Sequence, residues 1–456
     1  MTDPSIFKAY DVRGLYGDQL DEDAAYAIGR GFARVLADMY DVEPSDLRLA
    51  LGRDMRLTAP AMSERYAAGM TDAGAGVLDV GQVGTEMLYW TVGARELDGG
   101  LMCTASHNPK DYTGAKLVGR GALALSGDAG IGELREIVTG DSPGDPTGEP
   151  GELTTEDIGE PFRADALAFI EPDTVRPVKV VLDGGNGMAG QMLGALLDML
   201  PIEQVQLYWE PDGELPDHEP NPLLEDNRRF IIDRVRSEGA DLGIAWDGDA
   251  DRCFFIDGDG AFVDGDFLTT LLAQSVLEKE PGATILYDVR ASRAVRDVVE
   301  AAGGTAHMNR VGHAFFKTRM RDEGAAFGGE VSGHYYFRDF YCADSGTLPA
   351  LLVLELLGKR EQTIAELLEP LRSKYFISGE INSEVEDPEG RIAAIKERWS
   401  DGEVTELDGV SVDYEDWHFN VRSSNTEPLV RLNLESVRSR EHMEEKRDEV
   451  LGLIRG

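Results

Sequence analysis

Val178–Lys179–Val180–Val181–Leu182, running straight into Asp183–Gly184–Gly185, is the stretch on which the fold turns. A short apolar, β-branched run closed by an acid and two glycines reads as a strand that stops at a tight turn. The same grammar occurs twice more. Leu47–Arg48–Leu49–Ala50–Leu51 ends in Gly52–Arg53–Asp54, and Ala283–Thr284–Ile285–Leu286–Tyr287 ends in Asp288–Val289–Arg290. Around the first copy, helical spacing runs from about Asp23 to Tyr40. A second helix starts near Pro60 and a strand follows at Val77–Val80. Strand, helix, strand in this order is the βαβ unit of a mostly parallel sheet. Three copies predict three related α/β domains with mixed sheets.

Thr139 to Gly151 is rich in Pro, Gly and Asp without an apolar period, so it reads as a linker. An apolar helix is expected over Ala350–Leu357 and a new one over Ile364–Leu371. From about Tyr375, strands alternate with one charged helix, Ser436 to Leu453, which predicts a smaller α+β domain. The expected boundaries are 1–148, 149–256, 257–362 and 363–456.

Each α/β copy carries a second, polar loop downstream. In the first, Leu101–Met102–Cys103 leads into Thr104–Ala105–Ser106–His107–Asn108–Pro109–Lys110. Pro109 biases Asn108 away from helix, so Ser106 is expected on a sharply turned, exposed loop. A serine with His107, Lys110 and Lys116 nearby suits phosphoryl chemistry. In the second copy, Asp247–Gly248–Asp249–Ala250–Asp251–Arg252 follows a strand. Carboxylates at alternate positions, separated by Gly and Ala, can gather their oxygens on a hard cation, Mg²⁺ or Ca²⁺. An EF-hand is excluded, because its sixth position would be Arg252 and its twelfth Gly258. Asp257–Gly258–Asp259–Gly260 reads as a hairpin turn. Gly185–Asn186–Gly187–Met188–Ala189–Gly190 fits a dinucleotide fingerprint, but with no other nicotinamide signal it reads as a strand-to-helix turn.

The third copy supplies Gly328 to His334, where Glu330, Ser332 and His334 can bond vicinal hydroxyls of a sugar. The last domain offers Arg422–Ser423–Ser424–Asn425–Thr426–Glu427–Pro428, an anion site made of a guanidinium fork, hydroxyls and turn amides. Arg310, His313 and Arg290 add cations and an imidazole to the loops of the third domain.

Composition narrows the partners. The 456 residues carry 85 acidic against 44 basic side chains, a net charge of −41. Nucleic acid and anionic membrane both need a basic face, so neither is expected as a partner. No apolar run is long enough to span a bilayer and no signal pattern opens the chain, so the expected location is cytoplasmic. Three scattered cysteines read as buried free thiols. Such self-repulsion is screened at about 1 M salt, where the Debye length is ~3 Å, and this points to a salt-rich, halophilic host.

The four loops occur in one order, after an opening Phe7–Lys8–Ala9–Tyr10–Asp11–Val12–Arg13–Gly14. Together they resemble the α-D-phosphohexomutase superfamily, in its phosphomannomutase/phosphoglucomutase branch, over nearly the whole chain. The resemblance implies four domains around a central cleft and a phosphoserine at Ser106. Asp247, Asp249 and Asp251 would bind Mg²⁺ together with the Ser106 phosphate. Glu330, Ser332 and His334 would read sugar hydroxyls. Arg422, Ser424, Asn425 and Thr426 would hold the non-reacting phosphate. Lys116 and His313 are the candidate general acid/bases. Arg252 and Lys8 would steady phosphate, and Tyr10, Arg13, His107, Arg290 and Arg310 complete the expected substrate contacts. A hexose 1,6-bisphosphate would act as activator, and the expected assembly is a monomer or weak homo-oligomer.

The sequence departs from the family pattern at Thr113 and Ala115, where Asn and an aromatic are usual, and at Arg290, where a lysine is common. Val331 stands where the phosphoglucosamine branch carries Gln, which favours a hexose phosphate over glucosamine phosphate. Phosphoglucosamine mutase, a metal-dependent phosphatase and a non-catalytic sugar-phosphate binder are the competing readings. A phosphatase would release inorganic phosphate, and a binder has no use for an acceptor hydroxyl at Ser106.

Overall fold

The structure, a computed structural model, describes residues 2–127, 129–140, 149–423 and 429–456. Contacts divide the chain into two compact units, residues 1–262 with 334–361, and residues 263–333 with 362–456. Within these lie three α/β/α domains and a C-terminal domain.

The first sheet has six strands in the order Asp11–Leu15, Tyr112–Gly119, Gly99–Cys103, Arg48–Arg53, Gly76–Gln82, Leu153–Thr155. The four from Gly99–Cys103 outward run parallel, and Tyr112–Gly119 is antiparallel to both its neighbours. The expected strand at Leu47–Leu51 and helices near Asp23 and Pro60 are present, the helices spanning Glu22–Tyr40 and Ala59–Asp72. Asp21 caps the first helix by accepting from the Ala24 N–H. The two helices pack against each other through glycines: a β-carbon on Gly29 would lie 2.3 Å from the Tyr66 carbonyl oxygen, and one on Gly69 would lie 2.1 Å from that of Tyr26. Ile28, Phe32, Leu36, Met62 and Tyr66 fill the core that this approach closes.

The second sheet runs Phe262–Val263, Cys253–Asp257, Leu242–Trp246, Lys179–Asp183, Glu203–Leu207, with the last three parallel. The deciding strand is therefore interior, at Lys179–Asp183. Asn186, with φ +56°, turns the chain into the helix Ala189–Leu197, as the turn reading of Gly185–Gly190 expected. The hairpin at Asp257–Gly260 is present as well, with Gly260 at φ +81°. The third copy places Thr284–Asp288 between parallel Thr305–Asn309 and Phe327–Gly329 in the second unit. Its later hairpin, Tyr335–Phe337 with Ala343–Asp344, belongs to the first.

In each copy the Asp that ends the strand bonds the N–H two residues on: Asp54 to Arg56, Asp183 to Gly185 and Asp288 to Arg290, at 2.7–3.0 Å. An acid followed by a turn thus recurs because it closes each strand in the same way.

The C-terminal domain is an antiparallel six-stranded sheet centred on Trp417–Ser423 and Leu429–Ser436. It corrects the sequence reading twice. Ser436 ends a strand; the helix starts at Arg440, where the Ser439 hydroxyl accepts from the His442 N–H. A second helix, Pro388–Arg398, also packs on the sheet, nucleated by an Asp387 cap and a proline in its first turn. The three cysteines are free and buried, as expected. Most of the linker expected at Thr139–Gly151, residues 141–148, lies outside the described residues.

Candidate active site

Ser106 follows the strand Gly99–Cys103 at φ +50°, so the sharp turn is present. The expected exposure is not, because Ser106 is only 4% exposed. The reason is a clamp that sequence reading missed. Buried Arg56, paired with Asp54, donates to the carbonyls of Ser106, Asn108, Pro109 and Tyr112 at 2.7–3.1 Å. One guanidinium thereby satisfies four turn carbonyls and pulls the loop inward. The signal was available in the repeat itself, since Asp54–Met55–Arg56 matches Asp288–Val289–Arg290.

The acidic loop meets this turn directly. A β-carbon on Gly248 would lie 2.5 Å from the Ser106 carbonyl oxygen, so only glycine admits the approach. The Ser106 hydroxyl donates to Asp247 Oδ2 at 2.9 Å, and its oxygen lies 3.2 Å from His107 Nδ1. Asp247, Asp249 and Asp251 are all buried, with one oxygen from each within 4.8 Å of the others. Lys116, from Tyr112–Gly119, donates to Asp249 at 2.7 Å and to Asp251 at 2.5 Å. Arg252 Nε donates to Asp247 at 2.9 Å. Thr85, another residue that sequence reading missed, donates to Asp249 from its hydroxyl at 2.5 Å and from its N–H to the Asp249 carbonyl at 3.0 Å. Nothing in the sequence near Thr85 marks it.

These contacts set the charges. Burial works against the Lys116 ammonium, but Asp249 and Asp251 outweigh it and hold its pKa well above the usual lysine value. Burial, then the charge of Asp249, push the Asp251 carboxyl well up. Burial also raises Asp247, against the pull of Arg252. At Asp249, burial is overcome by Lys116 and Thr85, and its pKa falls below the usual range. Desolvation, with Arg252 and Arg13 nearby, keeps His107 well below the usual imidazole range, hence neutral. One oxygen each of Asp249 and Asp251 is buried without a hydrogen-bond partner among the described residues. Oxygen-only donors, a surplus of negative charge and two unsatisfied carboxylate oxygens fit a hard divalent cation.

Other expected residues of the first unit lie as follows. Arg13 donates to Asn108 Oδ1 and to Asp11, both at 2.5 Å, which ties the opening strand to the serine turn. Tyr10 is half-buried in the bend before that strand, whereas exposed Lys8 donates to the Ser5 carbonyl. His334 lies 3.8 Å from Asp344 and shares a cluster with Asp344 and Asp251.

In the second unit, Glu330 is buried and accepts from the Gly312 N–H at 2.9 Å, while half-buried Ser332 follows in the same loop. His313 is the first residue of the helix His313–Glu323. Arg310 is exposed and stacks on the Phe315 ring at 3.5 Å. Arg290 forms a fork on Asp288 at 2.7 and 3.1 Å, and Arg422 reaches Glu380 at 3.3 Å. Ser424, Asn425 and Thr426 lie outside the described residues.

Comparison with known proteins identifies the family. The four domain models of phosphoglucomutase/phosphomannomutase match in order: α/β/α domains I, II and III at residues 4–142, 162–260 and 264–375, and the C-terminal domain at 380–453. A phosphohexose mutase of Xanthomonas campestris pv. campestris (strain B100) is 42% identical over 460 residues, covering all of both chains. A phosphomannomutase of Salmonella montevideo is 42% identical over 462 residues, again covering both completely. The crystal structure of a phosphoglucomutase/phosphomannomutase family protein from Burkholderia thailandensis superimposes with a TM-score of 0.90 at 33% identity, covering 100% of this chain and 98% of that one. Fold and relatives define an isomerase of the phosphosugar-mutase class. Within it, the chain belongs to the phosphoglucomutase/phosphomannomutase family.

Proposed function

We propose that this protein moves a phosphate between C1 and C6 of a hexose through a phosphoserine at Ser106, with Mg²⁺ held by Asp247, Asp249 and Asp251. The observation that carries the reading is the Ser106 hydroxyl, 2.9 Å from Asp247 and enclosed with three carboxylates, Lys116 and Arg252. Three carboxylates against two cations leave one negative charge. A phosphate on Ser106 adds about 1.5–2 more. A divalent cation supplies the charge neutralisation that phosphoryl transfer requires.

In the forward step the Ser106 Oγ–P bond breaks and a sugar hydroxyl forms the new O–P bond, giving a hexose 1,6-bisphosphate. The proton from that hydroxyl passes to a general base, for which His313 is the candidate, while Lys116, held protonated by Asp249 and Asp251, is the candidate general acid for the return step. After the bisphosphate turns over, its other phosphate returns to Ser106 and the proton goes back to the freed hydroxyl. Externally supplied hexose 1,6-bisphosphate would recharge an empty Ser106 and so act as activator. Arg252, Lys8 and Arg13 steady phosphate, with neutral His107 beside Ser106. Glu330, Ser332 and His334 read the sugar hydroxyls. Arg422, Ser424, Asn425 and Thr426 take the non-reacting phosphate, and Arg290 and Arg310 are further substrate contacts.

We assign the four domains to 1–148, 149–256, 257–362 and 363–456, in a cytoplasmic monomer or weak homo-oligomer. The charge of −41 suits a salt-rich host, and retained structure after dialysis into dilute buffer would count against that assignment. Turnover of mannose 1-phosphate, glucose 1-phosphate and glucosamine 6-phosphate tests the function. Isomer from either hexose phosphate, far above glucosamine 6-phosphate, is expected; release of inorganic phosphate instead would point to a phosphatase.

A further inference from the structure

Arg422 and Arg431 face each other as register partners on adjacent antiparallel strands. Like charges directly opposite in a ladder repel, so an anion must sit between them. Glu380 does so. Its carboxylate lies 3.3 Å from Arg422 Nη2, 3.1 Å from Arg431 Nη1 and 3.5 Å from Arg290 Nη1. Arg290 is already neutralised by its fork on Asp288, which leaves Arg422 and Arg431 to share one negative charge. All three contacts are longer than the 2.7–2.9 Å usual for charge-assisted bonds, so none of the guanidiniums is fully served. The Nε groups of Arg422 and Arg431 are buried without a hydrogen-bond partner among the described residues. Glu330, 3.8 Å from Arg290, adds a carboxylate on that side only, so Arg422 and Arg431 still share the one carboxylate of Glu380.

We infer that Glu380 is a tethered placeholder anion. It holds the arginine pair together and keeps small inorganic anions off Arg422 until the dianionic phosphate of the substrate displaces it from that guanidinium. Arg431 then becomes a further residue of the phosphate site, retaining Glu380 while Arg422 is engaged. The inference rests on Arg422 receiving the non-reacting phosphate, and it explains why a carboxylate stands in an anion site. A second carboxylate next to a bound phosphate is unfavourable unless it moves aside, and contacts of 3.1–3.5 Å let it do so.

The test is sulfate affinity by titration calorimetry, which needs no turnover, beside KM for the hexose phosphate. Glu380→Gln removes the charge and keeps the shape. Sulfate binding should tighten roughly five- to tenfold, the scale of one net hydrogen bond regained, and KM should fall with it. Unchanged or weaker sulfate binding in a folded Glu380→Gln protein would overturn the inference. Glu380→Asp keeps the charge with a shorter reach and should fall between the two. If Glu380→Gln does not fold, sulfate affinity in Glu380→Asp no higher than in the wild type would equally contradict it. A gain in sulfate affinity without turnover of any hexose phosphate would support the placeholder and sink the mutase reading alone.

Discussion

Around Ser106, three carboxylates meet two cations at 2.5–2.9 Å, and each of those side chains is more than nine-tenths buried. Around Glu380, three guanidiniums meet one shared carboxylate at 3.1–3.5 Å, and the Arg431 side chain keeps 27% of its surface exposed. Short contacts in a dry setting fix geometry, as bond-making at a phosphorus atom requires. Long contacts at a partly wet site leave charge available, which suits a group that must be captured and released. Damage to the first centre should therefore register in kcat, and damage to the second in KM.

The largest effect should follow Ser106→Ala, which removes the acceptor oxygen and leaves the buried cluster intact. Hexose phosphate turnover should fall by roughly 10³-fold or more, with substrate binding retained. Stripping divalent cations with a chelator comes next. Activity should drop about 10²-fold or more and return on adding Mg²⁺, because Asp249 and Asp251 keep unsatisfied oxygens in its absence. Persistence of full activity in the chelator would erase the distinction between the two centres.

Arg422→Gln should act the other way, raising KM about 10- to 100-fold with a much smaller change in kcat. A dominant loss of kcat would show that the arginine cluster shapes the reacting geometry after all.

The smallest effect concerns stability. Burial pushes the Glu86 carboxyl up to about 7 against the pull of Ser345 and Thr347, whose hydroxyls donate to it. A carboxyl whose pKa is higher in the folded state binds more protons there, so stability falls as pH rises from about 4.5 to about 7. Glu86→Gln should flatten that slope, a change on the order of 3 kcal/mol across the window. Denaturant unfolding at pH 5 and pH 8 measures it.

Much of this was legible in the residues. Strand runs closed by Asp marked the three α/β copies, and alternate aspartates marked the metal-type loop, because both patterns are local. What stayed hidden depends on partners distant in sequence. Ser106 reads as exposed from its Asn-Pro neighbours, and Arg56, fifty residues earlier, with the acidic loop at Gly248 buries it. Thr85 carries no signal until the fold sets it against Asp249, 164 residues on. Glu380 looks like one acid among 85, and it gains meaning only when two strands bring Arg422 opposite Arg431. The short helix Pro388–Arg398 was missed because charged residues dilute its apolar face, leaving Ile395 as its one buried side chain.

Everything proposed for the first centre requires Ser106 to accept and return the phosphate. The direct measurement is to incubate the protein with hexose 1,6-bisphosphate labelled in its phosphates and locate the label by peptide mass spectrometry. Label on Ser106, discharged on adding mannose 1-phosphate and absent in Ser106→Ala, is the predicted result. An unlabelled Ser106 in a protein whose Ser106→Ala variant still isomerises hexose phosphate at the full rate would contradict the account.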